Sequence, residues 1–146
     1  MKNPMVIKVL SALGTVLVWI PLLAPVFFGL AGLAMSGEFN FDFLMPAEFG
    51  FLAIAGAVML IVVAILAHSQ VKLIGGSIGV AVVAIVGGQV IASVTGLASG
   101  DIEPTGWQWA LVVASLGVYI LALAALGVGG ALLSRDVFRA RAGEAA

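Results

Sequence analysis

Four apolar runs, each long enough to cross a lipid bilayer and none with an ionisable residue near its middle, constrain this chain more than any other feature. They cover about residues 6–34, 47–67, 71–98 and 107–133. A hydrocarbon core of roughly 30 Å takes about 20 apolar residues of helix. Inside that core there is no water to bond the backbone, so each run is expected to be helical. A β-barrel would alternate apolar and polar residues, whereas these runs are continuously apolar. Composition agrees: 63% of the chain is hydrophobic and 9% is charged, against about 25% charged in soluble domains.

The few charges are sorted by place. Lys2 and Lys8 flank the first run, Lys72 sits between the second and third, and Arg135, Arg139 and Arg141 follow the fourth. Glu38, Asp42 and Glu48 lie in or beside the connection from first to second run, and Asp101 and Glu103 in that from third to fourth. All six Lys and Arg therefore fall on one side of a four-span arrangement, and five of the seven acids on the other. The positive-inside rule then predicts a multi-pass protein of the plasma (inner) membrane with both termini cytoplasmic. Met1-Lys2-Asn3-Pro4 and the run closing at Gly32-Leu33-Ala34 look superficially like a signal peptide. Signal h-regions run about 7–15 residues, but Val9 to Leu33 is free of charge, so a retained first span is expected.

The first and third runs are longer than a span needs, so they tilt or project. Pro21 and Pro25 each delete a helix hydrogen bond and predict a bend in the outer half of the first span, a packing bend before a gate. His68-Ser69-Gln70-Val71-Lys72 is a short inner connection, which makes the second and third spans a tight antiparallel hairpin. Trp19, near mid-membrane, is out of place for a residue that prefers interfaces.

The two halves resemble each other at their outer ends. Gly32-Leu33-Ala34-Met35-Ser36-Gly37-Glu38 closes the first span and Gly96-Leu97-Ala98-Ser99-Gly100-Asp101 the third. Pro46-Ala47-Glu48-Phe49-Gly50-Phe51 opens the second and Pro104-Thr105-Gly106-Trp107-Gln108-Trp109 the fourth. Glycine after a last turn ends a helix, proline fits the first turn of the next, and paired aromatics anchor at the headgroup level. The pattern fits duplication of a two-helix hairpin in parallel orientation, ahead of convergence on generic helix ends. The halves differ by an insertion carrying Phe39, Phe41, Asp42 and Phe43. Those residues are the candidate partner or ligand contact, against the plainer reading of a lipid-anchored loop.

Lipid gives helices no hydrophobic reason to associate, so small residues that admit close backbones and interhelical hydrogen bonds carry the packing. Ala84, Gly88, Ala92 and Gly96 form such a row on the third span, with Gly75 and Gly79 nearer the cytoplasm. Ala53 and Ala57 on the second span and Gly117, Ala125 and Gly129 on the fourth are candidates too. Gln89 and Ser93 share one face of the third span, Ser115 and Tyr119 one face of the fourth. These four are the candidate intramembrane polar contact, with a Gln89–Ser115 hydrogen bond as its expected form.

Function is read mostly by exclusion. No Asp, Glu, Lys or Arg lies between the interfaces, where proton relays and coupled transporters need one. No Ser–His dyad, aspartate pair or phosphate loop occurs, cysteine is absent and His68 is the one histidine, so neither catalytic residues, cofactor nor metal are expected. No basic patch suits nucleic acid. The tail from Ser134 to Ala146 reads as a short amphipathic extension lying on the cytoplasmic leaflet. The chain is thus expected to be an all-α integral membrane protein, a four-helix transmembrane bundle. Its leading function is that of a non-enzymatic subunit or scaffold of a membrane assembly, with the bilayer and other membrane chains or a second copy as partners. The alternative is a small homo-oligomeric channel or carrier for a neutral or apolar solute.

Overall fold

The computed structural model describes residues 3–37 and 47–144, and within them the chain is built from four helices. These are α1, Pro4–Ser36; α2, Ala47–Ala67; α3, Val71–Val94; and α4, Gly106–Glu144. All four are long and apolar enough to cross a membrane. Their 33, 21, 24 and 39 residues correspond to lengths of about 50, 32, 36 and 58 Å at roughly 1.5 Å per residue.

Local chemistry sets the ends. Asn3 caps α1 by accepting the Met5 N–H at 3.2 Å, with Pro4 in the first turn, where its missing N–H costs nothing. At the other end Gly37, φ 71°, returns its N–H to the Leu33 carbonyl at 3.1 Å. The helix runs unbroken through Pro21 and Pro25. α3 stops at Val94, short of the apolar run's end at residue 98, because Gly96 turns left-handed at φ 79°. The Ala98 N–H then folds back to the Ala92 carbonyl at 2.9 Å. Gly32 and Gly96, equivalent in sequence, therefore differ: Gly32 stays inside α1, while Gly37 and Gly100 are alike in being left-handed.

α4 does not end with its apolar run but continues past Leu133 to Glu144. Packing is the reason, since Leu133 is fully buried and Val137 rests against the core. The expected short tail is thus the last part of one long helix. Around the bundle, α3 packs on α4, α1 packs on both α2 and α4, and α2 meets α3 much less; α1 and α3 do not touch among the described residues. Val18, Leu60, Val63, Ala64, Ile74, Leu126 and Leu133 form the fully buried centre. Most of them lie in the half of the bundle that carries the basic residues.

Glycines set two close contacts of α1, one with backbone and one through a side chain. A Cβ added at Gly56 of α2 would fall 2.8 Å from the Gly14 carbonyl oxygen and 3.0 Å from the Val18 nitrogen of α1. On the other side of α1, the Trp19 ring lies over Gly127 of α4, its Nε1 3.1 Å from where a Cβ would stand. That accounts for a tryptophan far from either helix end: its ring fills the groove that glycine opens. Gly76 and Gly79, by contrast, have nothing within 4 Å, and Gly75 meets only Ile61 Cδ1 at 3.7 Å. The Gly75–Gly79 pair is not used to pack this chain's own helices closely.

Gly56→Ala is expected to destabilise the protein by about 1–3 kcal/mol, because the atoms it meets are backbone and cannot rotate away. Gly79→Ala should leave thermal unfolding in detergent unchanged or slightly raised. Equal losses from the two substitutions would contradict the close α1–α2 approach.

Candidate functional site

Two polar places stand out on an otherwise apolar bundle. The first is a notch between α3 and α4, towards the acidic end. It is lined by Ala84, Ile85, Gly88, Gln89 and Ala92 of α3 and by Val112, Ser115, Leu116 and Tyr119 of α4, and has a volume of about 40 Å³. Small residues on α3 open it: Ala84 and Gly88 are buried against α4, and a Cβ on Gly88 would stand 3.1 Å from Ser115 Cβ. Ala92 is half-buried and Gly96 lies beyond the helix, so the predicted row divides between helix face and terminating turn.

The expected Gln89–Ser115 hydrogen bond does not form. Gly88, not Gln89, faces Ser115, and the rotation of about 100° per residue turns Gln89 to the exposed rim of the notch. Ser115 instead donates to the Leu111 carbonyl of its own helix at 2.9 Å, a local alternative open to any helical serine. Gln89 and Tyr119 line the notch without a hydrogen-bond partner among the described residues, and Ser93 is exposed on the Gln89 side. Phe39, Phe41, Asp42 and Phe43 lie outside the described residues.

The second polar place is at the basic end, and Asp136, its centre, is absent from the sequence-derived candidates. In the α2–α3 turn His68 and Gln70 adopt left-handed φ of 54° and 57°, which bends the chain sharply enough to aim Ser69 and Gln70 at α4. Ser69 Oγ donates to Asp136 Oδ2 at 2.7 Å and Gln70 Nε2 to the same oxygen at 3.2 Å. The Ser69 bond first, and then that from Gln70, hold the Asp136 carboxyl below the usual carboxylate range, with Arg135 and Arg139 adding to the effect. Two residues on, the Phe138 ring has Lys8 Nζ 4.9 Å from its centroid, a cation–π contact between α1 and α4. Deeper in, Thr15 Oγ1 donates to the Ser11 carbonyl at 2.7 Å, leaving Ser134 Oγ, 3.3 Å away, to donate to Thr15. The end of α4 is thus tied to α1 and to the α2–α3 turn through three of its side chains, Ser134, Asp136 and Phe138.

One signal in the sequence pointed here: Asp136 and Glu144 are the two acids on the basic side, and an acid among arginines has a local job. Among the described residues no three His, Cys, Asp or Glu gather to hold a metal, and His68 is exposed in its turn.

Asp136→Ala is expected to lower the thermal midpoint by a few degrees, and Asp136→Asn, which keeps an acceptor, by less. Because the folded carboxyl is held down, its contribution is complete at neutral pH and is lost as pH falls through that lowered value. The gap between wild type and Asp136→Ala should therefore close only below the ordinary carboxylate range, as read by unfolding curves from neutral to strongly acidic buffer.

Comparison of the chain with protein-family models, with curated proteins and with solved structures returns no match.

Proposed function

We propose that this chain is a multi-pass protein of the plasma membrane that serves as a non-enzymatic subunit or scaffold of a membrane assembly. Both termini lie in the cytoplasm, since Lys8, Lys72, Arg135 and Arg139 all belong to one end of the helices and translocation disfavours such charge. The helices are read as two tandem hairpins in parallel orientation. This is supported by the extensive packing within α1–α2 and within α3–α4, whereas the α1–α4 and α3–α2 contacts, which a twofold along the membrane normal would exchange, are unequal.

The observation that carries the reading is a closed centre beside open flanks. Leu60, Val63, Ile74, Leu126 and Leu133 fill the middle at 0–1% exposure, which leaves no path through the centre of a single chain. The α3–α4 notch, at about 40 Å³, falls well short of the roughly 300–1,000 Å³ of small-molecule sites. Outside, α3 presents Gly76, Gly79, Val83 and Val90 with no neighbour from the chain's own helices covering them. Glycines that admit close backbones beside stiff β-branched ridges suit contact with another transmembrane helix. The phenylalanine segment at 39–43 is the second candidate contact.

A channel or carrier for a neutral solute is the competing reading, favoured by the unpartnered Gln89 and Tyr119. Native mass spectrometry of protein gently extracted from its own membrane tests the two. Other chains at fixed ratio are the expected result. A homo-oligomer alone, with solute flux in vesicles that Gln89→Leu abolishes while leaving the protein folded, would overturn the scaffold reading.

A further inference from the structure

We infer that the α3–α4 notch is a binding site for a neutral hydroxyl group, supplied by a water molecule or by the alcohol end of a lipid-soluble molecule. The inference rests on the membrane-spanning reading. Ser115 is the tenth residue of α4, about 14 Å along it, and Gly88 abuts it from α3, so the notch would sit at hydrocarbon depth. There Gln89 carries an amide, and Tyr119 a phenol, with no partner among the described residues. Such groups in an apolar medium are stabilised only when something bonds them.

Volume and chemistry narrow what that something is. About 40 Å³ accommodates a hydroxyl group and at most a water or two beside it, given that one water needs roughly 10–15 Å³ of such space. No residue lining the notch is charged, which favours a neutral guest over an ion. The lining offers donors in the Gln89 NH₂ and the Tyr119 hydroxyl, and acceptors in the Gln89 carbonyl and the Ser115 oxygen, whose own proton is already given to Leu111. A hydroxyl both donates and accepts, and so uses both kinds; a bare carbonyl or ether would use donors alone.

The test uses full-length protein in phosphatidylcholine–phosphatidylglycerol nanodiscs, prepared without removing co-purifying lipid. Hydroxyl-radical footprinting reads oxidation at Tyr119, and mass spectrometry of the solvent extract reads any alcohol present at fixed ratio to protein. A bound water predicts Tyr119 oxidation severalfold above that at Phe27 and Leu121, which are 71% exposed and would face lipid. A lipid alcohol predicts instead a stoichiometric extract and a protected Tyr119. Either signal should fall severalfold in Gln89→Leu, whose side chain is at the rim, and in Gly88→Ala, which fills the floor. Since Gly88→Ala also touches the α3–α4 packing, the rim variant decides should it misfold. Neither oxidation nor alcohol in folded wild-type protein overturns the inference and leaves the membrane reading standing. Oxidation of Phe27 and Leu121 as strong as that of Tyr119 overturns both.

Discussion

Everything else in the bundle depends on how closely α1 can approach its two neighbours. On one side Gly56 brings the backbone of α2 against Gly14 and Val18; on the other Gly127 receives the Trp19 ring and Gly130 lies beside Thr15. Helices surrounded by lipid gain little from burying apolar surface in one another, so dispersion between atoms in contact has to hold them. That attraction fades within a fraction of an ångström, and only glycine lets the helices come near enough to use it. α1 is also the sole strong bridge between the two hairpins, because α2 and α3, though joined by a three-residue turn, scarcely pack.

The basic end shows what a long helix does with its surplus length. α4, at about 58 Å, exceeds any span, and its last turns are held by directed bonds where apolar packing runs out. Asp136 collects the α2–α3 turn through Ser69 and Gln70, and Phe138 receives Lys8 of α1. All three other helices are thereby referenced to α4 at one level, α3 through its packing and the others through named side chains. The acidic end has no such clamp among the described residues, and it is there that α3 and α4 leave a notch. Side-chain ties lie at one end of the bundle and the notch towards the other.

Much of this was legible in the residues. Helix number and approximate limits follow from runs of apolar residues that have only one way to satisfy their backbone in lipid. The end of α3 was harder to read: the apolar run continues to residue 98 but the helix stops at Val94, because Gly96 turns left-handed while Gly32, in the matching sequence position, stays helical. Packing partners were less legible. A glycine row shows which residues permit contact, but rotation about the helix axis decides whether the contact occurs: Gly88 meets α4 while Gly79 meets nothing. The same rotation separated Gln89 from Ser115, two residues that counting along the helices had placed level.

The sequence by itself determined the number of helices, that each is long and apolar enough to cross a membrane, and which end carries positive charge, since these are sums over long segments that no single contact can reverse. Only the tertiary structure decided which faces meet, that α4 runs on through Asp136, and that the polar groups of α3 and α4 border a notch and do not bond across it. Those outcomes turn on distances of a few tenths of an ångström and on angles of about 100° per residue, quantities that exist only once four helices are set against one another.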